Sequence, residues 1–299
     1  MRSTQVFQKF KKNRAPVFDA FVVFAFGVLS GILVQKYYPV GQLLRTVRVR
    51  SEALAQSPVQ RAEVPISSVR SGRVMVALVF GQSNSANYGE TPYKSRQGVY
   101  NFYRGKLYPA QDPLLGAMGD GGSVWTRLGD KLIERKYYDA IVFVPLGVSG
   151  TRIARWESDG DLHPVILQAI HDVEAQGLTI THLLWHQGET DAKLKTSRSA
   201  YKEMFLAMLS SIRKRGVNAP MYVSVATRCD KHQPDEQIRQ AQQELVNSAQ
   251  GIYEGPDTDK LGLCDRYDGC HFTDEGLEKL AQLWLEKLNP SSQRTVAKQ

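Results

Sequence analysis

Residues 74–80 read VMVALVF, an apolar run with no polar break. A strand wetted on one face alternates apolar and polar residues. A strand covered on both faces need not, and such runs mark parallel sheets enclosed by helices. Three more stretches read the same way: 140–146 (AIVFVPL), 180–185 (ITHLLW) and 221–226 (MYVSVA). Segments with helical spacing stand among and after them, at about 124–135, 162–176, 199–215, 234–249 and 273–288. Thr273, ahead of Glu275 and Gly276, reads as a capped start. The alternation predicts an α/β fold, a three-layer α/β/α sandwich with a mostly parallel sheet. In such sheets the chemistry gathers beyond the carboxyl ends of the strands, so the residues after each run matter most.

Charge divides the chain. The 299 residues include 38 Lys+Arg and 30 Asp+Glu, a net charge of +8. Residues 1–50 hold nine basic residues and one acid, Asp19, which is the whole excess. The remainder is balanced. A folded domain that binds nucleic acid carries its excess on that domain, so a nucleic-acid partner is not expected. The 42% hydrophobic content excludes global disorder, and a chain this long needs no disulfide scaffold to hold a core.

The basic head flanks APVFDAFVVFAFGVLSGILV at 15–34, about long enough as a helix to cross the ~30 Å hydrocarbon core. Tyr37 and Tyr38 suit an interfacial belt. A cleaved signal peptide has a shorter apolar core, and the nearest small-x-small pattern, Ala53-Leu54-Ala55, comes too late. The expected organisation is a basic tail at 1–14, a transmembrane signal-anchor at 15–37, a stalk at 38–72, a folded body at 73–290 and a tail at 291–299. Five basic residues precede the span and four follow closely. The positive-inside rule therefore leans toward a cytoplasmic N-terminus and an extracytoplasmic body.

The strand ends carry the candidates. Gly81-Gln82-Ser83-Asn84-Ser85 follows the first run and puts a Ser on a tight turn near backbone N–H groups. Gly147-Val148-Ser149-Gly150-Thr151, then Arg152 to Trp156, follows the second. His186-Gln187-Gly188-Glu189-Thr190-Asp191 follows the third. Arg228 lies just past the fourth and is a candidate for substrate contact. Asp268-Gly269-Cys270-His271 precedes the last helix.

Together, in this order, these blocks resemble the SGNH hydrolase superfamily, and within it the sialate O-acetylesterase-like branch of carbohydrate acetylesterases. The resemblance spans about residues 74–288. It implies Ser83 as nucleophile, His271 as general base and Asp268 as the carboxylate that orients it. A Ser hydroxyl needs such a base, and the base needs its tautomer fixed. The resemblance also implies the N–H of Ser83, the N–H of Gly150 and the amide of Gln187 as oxyanion donors; in the wider superfamily an Asn often takes that last place. Where the branch usually has Gly-Gly, this chain has Ser149-Gly150, which leaves the donor's register open by one residue.

Other residues have plainer readings. Gln82, Asn84 and Arg152 are site-supporting or substrate candidates. Trp156 either touches substrate or packs beneath its block. His186, Glu189 and Asp191 have a metal-like spacing, but Glu189 and Asp191 are better read as buttressing the loop that holds Gln187. No HExxH or paired CxxC is present, so neither metal nor cofactor is expected. His163, His171, His182 and His232 read as surface or packing residues. The loops 88–104 and 105–122 read as shaping specificity. Cys229, Cys264 and Cys270 permit one disulfide in an oxidising compartment, with three pairings open.

The expected function is a membrane-anchored serine esterase that removes O-acetyl groups from carbohydrate. Transfer of acetyl to an envelope polysaccharide, a broader lipase or thioesterase activity, and a non-enzymatic binding module compete with it. The last requires a lost catalytic residue, and none is lost.

Overall fold

The structure, a computed structural model, describes residues 61–289 apart from Gln97, Lys231 and His232. The basic tail, the expected span at 15–37, the stalk as far as residue 60, His232 and residues 290–299 lie outside the described residues. Among the described residues no helix is long and apolar enough to cross a membrane.

In chain order the elements are β1 (Val74–Gly81), β2 (Val99–Tyr103), β3 (Lys106–Pro109), α1 (Val124–Glu134), β4 (Ala140–Gly147) and α2 (His163–Ala175). They continue with β5 (His182–His186), α3 (Glu189–Leu194), α4 (Arg198–Lys214), β6 (Met221–Val225), α5 (Glu236–Glu244), β7 (Ile252–Asp257) and α6 (Asp274–Lys287). Seven strands form one sheet in the order β3-β2-β4-β1-β5-β6-β7. Every neighbouring pair is parallel except β2–β3.

Strand periodicity divides the core in two. Val76, Leu78 and Phe80 of β1 face the layer of α2, α4 and α5, with Ile166, Ile170, Phe205, Met208 and Ile238. Met75, Ala77 and Val79 face α1 and α6, with Trp125, Leu128, Leu280 and Trp284. Successive side chains of a strand point to opposite faces, so an unbroken apolar run supplies both layers at once. Hydroxyl and carboxylate caps fix the helix starts. Ser123 accepts from Trp125 N–H, Ser197 from Ala200, Asp235 from Ile238 and Thr273 from Gly276.

Three strands depart from the sequence reading. The loops 88–104 and 105–122 contain the antiparallel pair β2–β3, closed by Arg104-Gly105 with both residues at positive φ. This is a two-residue hairpin whose first turn position holds Arg in place of the usual Asn, Asp or Gly. The edge strand β7 carries Gly255 and Pro256, which read as punctuation but are tolerated at a sheet edge. It ends the helical stretch 234–249 early: α5 stops at Glu244.

Residues 61–72, assigned to the stalk from sequence, lie against the β3 edge. Val64 bridges Leu107, Val69 is buried, and the Arg61 guanidinium donates to the carbonyls of Gln111 and Pro113, each at 2.8 Å.

Candidate active site

At the end of β1 the backbone approaches β5 too closely for a side chain. Gly81 has φ +136°, and a Cβ there would stand 2.1 Å from the His186 carbonyl oxygen. Gln82 N–H donates to that same oxygen at 3.1 Å. The chain then turns through a short 3-10 segment, Ser83–Ser85. As first residue of that turn, Ser83 keeps an N–H with no partner within it. Ser83 is buried in the protein yet lines a cavity of about 630 Å³.

The same cavity is lined by Gln82, Gly150, Glu189, Asp268 and His271. Residues from four separate segments, quoted above as the ends of strands and the loop before α6, thus meet in one place. Gly150 is exposed at φ +66°, a left-handed conformation that favours glycine. Ser149 also lines the cavity but is not in that conformation, so the glycine falls where the backbone requires one.

The Asp268–His271 loop is tied to itself. Asp268 Oδ2 lies 2.6 Å from His271 Nδ1, while its Oδ1 accepts from His271 N–H at 2.7 Å and from Cys270 N–H at 2.8 Å. Burial alone raises the Asp268 carboxyl, but these bonds outweigh it and hold the group below its ordinary value. A carboxylate at Nδ1 fixes the proton there and leaves the Nε2 lone pair free. His271 Nε2 is buried and has no hydrogen-bond partner among the described residues, so a Ser83–His271 bond is not closed in this structure. Tyr88 stacks on the imidazole, ring centres 5.2 Å apart, and Tyr267 donates its hydroxyl to the Tyr88 carbonyl.

A disulfide joins Cys229, in the loop after β6, to Cys270; Cys264 is free and exposed. From the other side, Asn84 Nδ2 donates to Glu189 Oε1 at 2.7 Å and to the Cys270 carbonyl at 3.4 Å. Arg266 donates to that carbonyl as well and lies over the Phe272 ring. Burial pushes the Glu189 carboxyl up to about 7, against the pull of the Asn84 amide and Arg266. It pushes His186 down to about 3, with Arg266 adding to the shift, which leaves the imidazole neutral.

Gln187 differs from its sequence reading. Its Nε2 donates to Asp191 Oδ2 at 2.6 Å and to the Thr151 carbonyl at 2.9 Å, which accounts for both amide hydrogens; a longer contact reaches Gln82 Oε1 at 3.3 Å. Its Oε1 accepts from Tyr201 Oη. The side chain is fully buried and does not line the cavity. The physical reason is competition: Asp191, a buried carboxylate one helical turn onward, captures the amide.

Asp191 also accepts from Ile153 N–H and Thr196 Oγ1, and so buttresses the loop as expected. Glu189 instead holds Asn84.

Of the outlying candidates, Arg152 is exposed beside Gly150. Arg228 is bound to Asp259 through both its N–H and its Nε, and it does not line the cavity. Trp156 is buried under its block and donates to Thr151 Oγ1. His163 and His182 have internal partners. Sequence reasoning missed Tyr88, Lys193 and Lys195; the two lysines line the cavity with nothing in their neighbourhood to signal it.

Residues 73–289 match the family model described as carbohydrate esterase, sialic acid-specific acetylesterase. The chain belongs to this family. As a member of the carbohydrate acetylesterases it is a carboxylic ester hydrolase.

Among solved structures, a protein from Arabidopsis thaliana superposes with a TM-score of 0.60 at 18% identity, covering 72% of this chain and 97% of that one. NanS gives 0.54 at 13% identity, over 76% and 98%. A Clostridium thermocellum family 3 carbohydrate esterase gives 0.50 at 15% identity, over 75% and 100%. At these identities the likeness concerns the fold. No curated protein matches the chain by sequence.

Proposed function

We propose that this carbohydrate acetylesterase removes O-acetyl groups from carbohydrate by a Ser83–His271–Asp268 mechanism. Ser83 Oγ attacks the acetyl carbonyl carbon while His271 Nε2 takes the hydroxyl proton. The carbonyl oxygen becomes an oxyanion facing the N–H groups of Ser83 and Gly150. The C–O bond to the sugar breaks, and the leaving alkoxide takes the proton from His271. Water then repeats the sequence on the acetyl-enzyme, with His271 again as base, and releases acetate and free Ser83.

One observation carries this reading most. His271 has Nδ1 held at 2.6 Å by a carboxylate and an unpartnered Nε2, and it shares a cavity with Ser83. The imidazole is thus oriented and its basic nitrogen is unspent.

The reading extends to placement: a membrane-anchored enzyme, held through residues 15–37, with its body outside the cytoplasm. The apolar run and basic flanks support it, and the Cys229–Cys270 disulfide fits an oxidising compartment.

Two experiments test the proposal. Ser83→Ala is expected to abolish hydrolysis of an activated acetyl ester while the protein stays folded; undiminished turnover sinks the mechanism. A reporter fused to the C-terminus is expected to signal outside the cytoplasm, and a cytoplasmic signal overturns the placement.

A further inference from the structure

Two backbone N–H groups face the proposed oxyanion, and the third donor expected from sequence, Gln187, is turned inward. The carboxamide of Gln82 is differently placed. Its Oε1 lies 3.1 Å from Thr190 N–H, 3.4 Å from Gly188 N–H and 3.3 Å from Gln187 Nε2. Backbone N–H groups only donate, so the atom they meet is the oxygen, and the orientation of the amide is fixed. The nitrogen end donates to no described residue. Gln82 lines the cavity next to Ser83. The Gln187 orientation is fixed in the same way, because the Thr151 carbonyl only accepts and must face nitrogen.

We propose that the side-chain amide of Gln82 is the third oxyanion donor, and that Gln187 is a positioning residue that helps hold it. The inference rests on the Ser83 mechanism above. Two backbone donors on the oxygen end leave the two N–H bonds of Gln82 without an acceptor among the described residues, on a side chain that lines the cavity with Ser83. A preorganised donor of this kind acts where negative charge develops, and it requires no reorganisation during the reaction. Gly188 and Thr190 N–H set the direction of that amide, and Gln187, held by Tyr201, Asp191 and Thr151, stands 3.3 Å from its oxygen.

The test compares Gln82→Ala, Gln82→Glu and Gln187→Met with the unaltered protein on an activated acetyl ester. Inhibition by methylboronic acid is measured beside each, since its adduct with Ser83 carries the anionic oxygen. Both Gln82 variants are expected to lose about 10²–10³-fold in kcat, with KM nearly unchanged, and to lose boronate affinity in parallel. Gln82→Glu keeps an oxygen for Thr190 and Gly188 N–H, so it guards against a folding failure in the alanine variant. Gln187→Met is expected to lower Tm and to lose less kcat than Gln82→Ala.

Gln82 variants that retain kcat within threefold, with Gln187→Met taking the large loss, overturn the assignment and leave the serine mechanism standing. Activity in Ser83→Ala overturns both.

Discussion

Asn84 and Cys270 are 186 positions apart in the chain, and Asn84 Nδ2 stands 3.4 Å from the Cys270 carbonyl oxygen. The residue after the proposed nucleophile therefore touches the residue before the proposed base. The same amide is held by Glu189 at 2.7 Å, so one side chain ties the Ser83 turn, the loop after β5 and the His271 loop together. Asn84→Ala removes that tie and takes from Glu189 its side-chain hydrogen-bond donor. Turnover is expected to fall by roughly 10- to 10²-fold through misplacement of Ser83 against His271, with about 1–3 kcal/mol of stability lost. Kinetics and denaturant unfolding of this variant check it; unchanged kcat refutes the coupling.

The Cys229–Cys270 bridge anchors the same loop from outside and closes a chain separation of 41 residues. A loop of that length gives a chain-entropy contribution of about 4 kcal/mol, an upper figure for a real protein. Cys229→Ser, or reduction of the unaltered protein, is expected to lower Tm. It is also expected to lower kcat more than KM rises, because Asp268 and His271 flank the freed sulfur. Equal activity of reduced and oxidised protein contradicts a role for the bridge in holding the base.

Glu189 sets a pH dependence of stability. Burial raises its carboxyl from an ordinary 4.5 to about 7. Below about pH 4.5 both folded and unfolded chains hold the proton, and the group costs nothing. Between 4.5 and 7 the unfolded chain releases a proton that the folded chain keeps, so stability falls as pH rises, by about 3 kcal/mol for this group. Glu189→Gln keeps an oxygen for Asn84 and removes the titration. Unfolding free energies at pH 5 and pH 8 should therefore differ less in the variant. Parallel curves refute the assignment.

Gly81 tests the geometry of the nucleophile turn independently of chemistry. With φ +136° and a Cβ only 2.1 Å from the His186 carbonyl, Gly81→Ala forces β1 and β5 apart. A destabilisation of about 2 kcal/mol or more is expected, with activity lost in whatever fraction folds. Unchanged thermal unfolding contradicts the close approach.

The sheet was legible where one property sufficed. Val74–Gly81 and Ala140–Gly147 are apolar because both faces are covered, and that condition is written in the residues themselves. Strand β2 is short and breaks the apolar pattern with the buried Asn101, and Arg104 stands where a hairpin usually signals itself with Gly or Asn, so the β2–β3 pair was hidden.

The site divides in the same way. Asp268 and His271 lie three residues apart on one short loop, so the blocks that carry the family resemblance could point to both. The direction of the Gln187 amide is set by Asp191, Thr151 and Tyr201, and that of Gln82 by Gly188 and Thr190. Sequence order does not show which end of a carboxamide faces a cavity. The choice among three cysteine pairings was likewise settled by proximity across the fold.

The central claim is that Ser83 carries the acetyl group between ester and water. Rapid quenching during turnover of an activated acetyl ester, followed by intact mass and peptide mapping, tests it directly. The account predicts a mass gain of one acetyl group on the peptide containing Ser83. It should accumulate further when His271→Ala slows deacylation more than acylation by the activated ester, and it should be absent in Ser83→Ala. An acetyl group found on another residue, or persisting in Ser83→Ala, would contradict it.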